Sequence, residues 1–296
     1  MSNRNASALL VDRKAINIER PPLRYVGAKW RIAQWVIDSF PGHDCYVEAF
    51  GGGAGVLLQK PPSAFEVYND LDYEVVTFFD VLRARPEDLI HAISLTPYSR
   101  EEMKRARFPV DDPLETARRF YVKSWQSFSP STSSRGWRYQ VRTIPGAAAD
   151  VVKLWNATDH LWAVAERMKQ VQIECDDAYK VIERYDAPET LFYLDYPYVH
   201  STRERAGAYK CELSDDDHRR FADLVRSVKG MVIVSGYPSA LYDELYRGWH
   251  CISKGTSDLR GNEKTECLWL SPRATEVNRM PLFDMAGRQE HRTWQI

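Results

Sequence analysis

Short apolar runs alternate along this chain with segments whose apolar residues recur every three or four positions. The runs are Cys45-Tyr46-Val47-Glu48-Ala49-Phe50, Phe65-Glu66-Val67-Tyr68-Asn69-Asp70, Val171-Gln172-Ile173-Glu174-Cys175, Leu191-Phe192-Tyr193-Leu194 and Met231-Val232-Ile233-Val234-Ser235-Gly236. They predict short strands. Helical spacing predicts helices over residues 30–37, 71–82, 150–170, 178–184, 214–228 and 239–246, with another opening at Val56-Leu57-Leu58. In the second of these, Val75, Phe78, Phe79 and Leu82 share one face, as a core stripe does. Cys251-Ile252-Ser253 and Glu266-Cys267-Leu268-Trp269-Leu270 predict a closing antiparallel pair. Strands alternating with helices give an α/β fold, a Rossmann-like sheet.

The residues that end the runs carry the candidate chemistry. Gly51-Gly52-Gly53-Ala54-Gly55 follows the first run, and glycines there let backbone approach a ligand closely. Asp70 ends the second run, at the spacing where a carboxylate accepts hydrogen bonds from a ribose. No G-x-G-x-x-G is present, so an adenosine cofactor without pyrophosphate fits better than a dinucleotide, S-adenosyl-L-methionine being one such cofactor. Asp176-Asp177 follows the third run and suits a cofactor amino group or a helix N-cap equally well. The fourth run stops at Asp195-Tyr196-Pro197-Tyr198. Pro197 cannot donate to a strand ladder, so Asp195 should emerge at the carboxyl edge of the sheet, where α/β proteins bind ligands. Taken alone, a turn-opening aspartate is the simpler reading of Asp195. Lys29 precedes the first predicted helix, where a cation is disfavoured unless an anion binds; a solvated lysine is as good a reading.

Length and composition narrow the picture. A chain of 296 residues accommodates one large domain or a core with an inserted module. The absence of a long apolar run and of a signal-peptide pattern leads to the expectation of an intracellular, cytoplasmic protein with no membrane partner. Five widely spaced cysteines with no C-x-x-C pair predict reduced thiols and no metal site. A net charge of −1 argues against a uniformly basic binder of nucleic acid, yet residues 83–142 hold 12 Lys and Arg against seven acids. Within them, residues 116–142 carry Arg118, Arg119, Lys123, Arg135, Arg138 and Arg142 with no acid, among aromatic rings and small hydroxyl residues. Charge runs are often only solvated surface. Cations interleaved with rings such as Trp137 nevertheless neutralise phosphates and stack on bases, and the lack of any acid favours nucleic acid. The polar stretch 200–210, with Arg203, has the character of a loop beside a site.

Together these segments resemble the Dam-like DNA adenine-N6 methyltransferases, D12 class, alpha group, over roughly residues 21–272. Leu23 to Lys29 matches that family's opening motif, Val47-Glu48-Ala49-Phe50-Gly51-Gly52-Gly53 its cofactor motif and Asp70 its ribose acid. Asp177 matches its third-strand acid, and Asp195 to Tyr198 its Asp-Pro-Pro-Tyr catalytic motif. The resemblance implies a catalytic domain from residues 18–83 and 165–275, an inserted target-recognition domain at 84–164, an arm at 1–17 and an extension at 276–296. It implies S-adenosyl-L-methionine held by Tyr25, Lys29, Glu48, Phe50, the glycines, Asp70 and Asp177. It further implies double-stranded DNA as partner, a monomer or weak dimer, and a flipped adenine. The N6 of that adenine bonds the Asp195 carboxylate and the Tyr196 carbonyl while Tyr198 stacks on the base. Ala54 replaces a family glycine, and Tyr196 stands where the family has proline. A carbonyl exists at any residue and Pro197 still restrains Tyr196, so activity is expected to survive. Lost rigidity and a phenol crowding the pocket are expected to reduce it.

Overall fold

Strands over 190–194 and 231–236 are buried on both faces and need cover there, and the intervening helices supply it. The computed structural model describes residues 16–129, 136–141, 150–198, 213–257 and 263–279. Its strands are β1 (Cys45–Glu48), β2 (Phe65–Asn69), β3 (Gln172–Glu174), β4 (Thr190–Leu194), β5 (Met231–Gly236), β6 (His250–Ser257) and β7 (Glu263–Leu270). They form one seven-stranded sheet in the order β3-β2-β1-β4-β5-β7-β6. The first five pair in parallel, and β7 runs antiparallel between β5 and β6, so the predicted α/β sheet and its antiparallel close are both present.

The helices are α1 (Ala33–Ile37), α2 (Tyr73–Ala84), α3 (Pro86–Ser94), α4 (Arg100–Arg105), α5 (Pro113–Gln126), α6 (Val151–Asn156), α7 (His160–Met168), α8 (Ala178–Arg184), α9 (Asp215–Ser227), α10 (Ala240–Leu245) and α11 (Pro272–Arg279). Successive strand residues serve opposite faces. Tyr46, Tyr68, Leu191, Tyr193 and Ile233 join a core with α2, α5 and α7. Val47, Val67, Phe192, Leu194 and Val232 join a second core with α8, α9 and the aromatic rings of Tyr242 and Trp269. The predicted stripe of α2 is fully buried, and Phe78 stacks on Tyr121 of α5 with ring centroids 6.0 Å apart.

Three predicted helices differ. The first is confined to Ala33–Ile37. The single helix expected over residues 150–170 is two, broken after Asn156. Asn156, Thr158 and Asp159 favour caps and turns over helix interior. Arg20 fixes the break by donating to the carbonyls of Leu154 and Ala157 at 3.1 Å each. Residues 56–58 form successive turns rather than a regular helix. The reason is local: the Leu57 N–H donates to the Glu48 carboxylate at 2.7 Å, and its carbonyl accepts from Arg167 at 3.0 Å.

That arginine belongs to a buried charge cluster. Glu66 of β2 takes Arg167 at 2.5 Å and Lys60 at 2.6 Å, all three side chains almost fully shielded. Glu66 is the carboxylate between two buried cations, so removing it leaves both uncompensated in a low-dielectric interior. Glu66→Leu is therefore expected to lower unfolding stability by about 3–5 kcal/mol, read as a fall in the urea midpoint. An unchanged midpoint contradicts the cluster's role.

Candidate active site

The carboxyl ends of β1, β2 and β4 open into a pocket of about 380 Å³. Its floor is the turn after β1. A Cβ on Gly51 would lie 2.2 Å from the Tyr68 ring, and Gly52 has φ +47 with the Tyr25 ring 2.9 Å from where its Cβ would be. Both positions exclude larger residues by contact. Ala54 adopts φ 54, a left-handed conformation that costs a non-glycine residue about 1–2 kcal/mol.

Around the turn the structure gathers Tyr25, Lys29, Glu48, Phe50, Gly51, Gly52, Gly53, Asp70, Asp177, Asp195 and Pro197, all lining one pocket. Asp70 braces the turn, Oδ2 accepting from the Gly52 N–H and Oδ1 from the Asp72 N–H, each at 2.8 Å. Burial nevertheless pushes its carboxyl up to about 6, the backbone donors opposing the shift. Glu48 accepts from the Leu57 N–H and, at 2.6 Å, from the Tyr46 hydroxyl; burial pushes it up to about 7. Asp177 caps α8 through the Tyr179 N–H at 2.8 Å while facing the pocket, so the helix cap and a ligand contact are compatible in one side chain. Asp176 is engaged by Lys180 and Arg184.

Asp195 leaves β4 at the pocket wall. The Lys29 ammonium donates to both of its oxygens, at 2.7 and 2.8 Å, and the Ser235 hydroxyl donates to Oδ1 at 2.8 Å. Lys29 also approaches Glu266 at 3.5 Å and lies 4.7 Å from the centroid of the Tyr198 ring. Tyr198 is buried, its hydroxyl donating to Glu266, and its ring meets Tyr237 edge-on at 4.6 Å. Tyr198 thus packs beside the pocket wall and is not among the residues that line it. Burial raises the Glu266 carboxyl above its ordinary value, and Lys29 opposes the rise.

Tyr196 corrects an expectation. Its ring is fully buried away from the pocket, stacked on Phe221 at 5.7 Å and touching Phe50, His218 and Tyr242, with its hydroxyl bonded to that of Tyr246. The phenol extends the second core and does not crowd the cavity.

The basic segment is less open than its sequence suggests. Arg118 is held by Glu115 at 2.6 Å and Glu102 at 2.7 Å, Arg119 by Glu115 at 2.6 Å, and Lys123 by Glu74. These acids lie outside the acid-free window but meet it through helical spacing and helix packing. Arg118, Arg119 and Lys123 are thus each engaged by an acid of the protein itself. Trp137 is partly buried, stacked with Tyr139 at 6.2 Å and capped by Arg100 at 4.7 Å. The Arg138 backbone bonds Gln126 and Tyr98. Arg135, Arg142 and Arg203 lie outside the described residues.

Sequence reading missed Ser235 and Glu266. Ser235 lies one residue from the end of the apolar strand β5, where a serine beside a glycine reads as a turn former. Glu266 opens the apolar stretch of β7, and a carboxylate there was the available signal. Among the described residues, no group of His, Cys, Asp and Glu suits a metal ion, and no helix is long and apolar enough to cross a membrane.

The strand order, with its antiparallel β7, and the glycine-floored pocket at the carboxyl edge define a Rossmann-like methyltransferase fold. A family model for D12 class N6 adenine-specific DNA methyltransferases matches residues 25–112 and 147–257, and the chain belongs to that family of enzymes. No curated protein matches the chain.

Two outcomes follow from this geometry. Replacing Tyr196 by proline restores the family motif but empties a filled aromatic site, so Tyr196→Pro is expected to lose roughly 3–5 kcal/mol of stability; a variant as stable as the parent contradicts the packing described. Glu48 binds its proton more tightly folded than unfolded, since its ordinary value is 4.5 and its folded value about 7. Its contribution to stability is complete below about pH 4.5 and is lost as pH rises through about 7. The urea midpoint of cofactor-free protein should fall across that window, and less so in Glu48→Gln. A midpoint that rises with pH equally in both proteins contradicts the assignment.

Proposed function

We propose that the protein transfers a methyl group from S-adenosyl-L-methionine to the N6 of an adenine flipped out of double-stranded DNA. The observation that carries the reading is Asp195, set at the wall of the pocket beside the glycine turn and oriented by three hydrogen bonds, two from Lys29 and one from Ser235. Membership in an adenine-specific DNA methyltransferase family supports the acceptor base and DNA as substrate.

The residues present fit the cofactor. Seven carboxyl residues line the pocket (Glu48, Asp70, Asp72, Asp176, Asp177, Asp195 and Asp217) against two cations, Lys29 and Arg220. That excess suits a ligand bearing a sulfonium and an ammonium. The cavity volume falls in the range of small-molecule sites, about 300–1,000 Å³. Asp70 would hold the ribose hydroxyls, Tyr25 and Phe50 the adenosine ring, and Glu48, Lys29 and Asp177 the remaining polar ends. When bound, the cofactor supplies an electrophilic methyl group on sulfur.

The chain's own residues do the rest by placement. An exocyclic amine is a poor nucleophile because its lone pair is shared with the ring. Hydrogen bonds from its two hydrogens to the Asp195 carboxylate and the Tyr196 carbonyl draw the nitrogen towards a tetrahedral geometry with its lone pair available. Pro197 restrains Tyr196 to extended backbone and so aims that carbonyl. Positioning and electrostatics of this kind carry most of the acceleration. As nitrogen gains the methyl it must release one proton, and the Asp195 oxygen already bonded to it is the nearest base.

Target recognition is assigned to residues 84–164. The family match is interrupted from 113 to 146, within that span. The Trp137, Tyr139 and Arg100 stack supplies a sequence-tolerant platform for bases.

The test is incorporation of labelled methyl from S-adenosyl-L-methionine into adenine-containing duplexes. Asp195→Asn is expected to lose on the order of 10²-fold or more in rate while still binding cofactor. A parent that binds cofactor and DNA without turnover supports the alternative of a catalytically silent DNA-binding protein, and an Asp195→Asn variant with full rate refutes the mechanism.

A further inference from the structure

Glu266 breaks the pattern of the strand that carries it. From Cys267 to Leu270, β7 is apolar and buried, yet the residue that opens this stretch is a carboxylate whose side chain is only 6% exposed. A shielded carboxylate is costly without a countercharge. Its countercharge is Lys29 at 3.5 Å, and the Tyr198 hydroxyl donates to the same oxygen. The same ammonium holds both oxygens of Asp195. One cation therefore sits between two carboxylates brought in from different strands, and the ring of Tyr198 lies against it.

This arrangement bears on how well Asp195 accepts hydrogen bonds. A lone Lys29–Asp195 pair is neutral, and the ammonium withdraws acceptor strength from the oxygens that must meet an amine. A second carboxylate on the same ammonium restores one net negative charge to the group and divides the pull of Lys29. In a pocket shielded from water such charges act strongly over these distances.

We propose that Glu266 is a positioning residue for methyl transfer, sharing Lys29 with Asp195 so that Asp195 stays a strong acceptor, and anchoring Tyr198 beside it. The inference rests on the adenine-N6 reading of the site. Glu266 lies outside the matched span of the family, which ends at residue 257. Glu266 does not line the pocket where cofactor would bind, and Lys29 keeps its place there through both oxygens of Asp195 without Glu266, so the effect is expected in the chemical step.

The test compares the full-length parent, Glu266→Gln and Glu266→Asp in single-turnover methyl transfer to duplex DNA, alongside dissociation constants for cofactor and DNA and thermal midpoints. Glu266→Gln keeps an oxygen for the Tyr198 hydroxyl and removes the charge. Its transfer rate constant is expected to fall tenfold or more, with both dissociation constants within about twofold of the parent. Glu266→Asp, which keeps the charge, should recover a substantial part of the rate. A Glu266→Gln rate within twofold of the parent, or a loss expressed only in the dissociation constants, overturns the inference and leaves the methylation reading standing. If Glu266→Gln proves too unstable to assay, Glu266→Asp decides. A rate nearer the parent's than that of Asp195→Asn upholds the inference, and a rate as low as that of Asp195→Asn overturns it. A parent that forms no N6-methyladenine overturns the methylation reading and this inference with it.

Discussion

Everything at the pocket depends on β1 and β4 lying side by side in parallel, with Glu48 in register with Tyr193. The chain builds outward from β1 through β2 to β3 in one direction, then returns to lay β4 and β5 on the other side. Where the order reverses, the connections after the two strands run apart and leave a crevice at their carboxyl ends. The glycine turn leaves one side of that crevice and Asp195 the other. A slip of one residue in this pairing turns every side chain to the opposite face. It would send Asp195 into a core and expose Leu194.

The crevice is held by charges that the sheet cannot accommodate for free. Glu48, Asp70, Asp195 and Glu266 are all shielded from solvent to a large degree, and each has specific donors. Their donors differ: Lys29 serves Asp195 and Glu266, whereas Glu48 and Asp70 rely on N–H and hydroxyl donors, and burial raises the proton affinity of Glu48, Asp70 and Glu266. A cationic ligand entering here would meet carboxylates that gain by its charge, which links the acidity of the pocket to the kind of cofactor it suits. The buried cluster of Lys60, Glu66 and Arg167 lies outside the pocket lining, and its arginine holds the turns that follow the glycines through the Leu57 carbonyl.

Much of this was legible in the sequence, because strand runs and their terminal residues are local signals. The glycines, Asp70, Asp177 and Asp195 each close an apolar run, and a parallel sheet brings all such ends to one edge. What escaped was set by long-range packing. The direction of the Tyr196 ring depends on Phe221, His218 and Tyr246, which are distant in sequence, so nothing near residue 196 told pocket from core. The cations at 118, 119 and 123 looked unopposed because their partners Glu102, Glu115 and Glu74 lie beyond the window or on another helix. Glu266 stood in plain view as an acid at the head of an apolar run, but its meaning required knowing that β7 inserts next to β5 and faces Lys29.

The central claim is that Asp195 and the Tyr196 carbonyl prepare an adenine N6 for methylation. Its most direct test is mass spectrometry of nucleosides from duplex DNA and from RNA treated with the parent protein and S-adenosyl-L-methionine. N6-methyldeoxyadenosine is expected from the DNA and no modified nucleoside from the RNA. Methylated cytosine, a modified RNA nucleoside, or unmodified DNA recovered from protein that demonstrably binds both cofactor and duplex would contradict it.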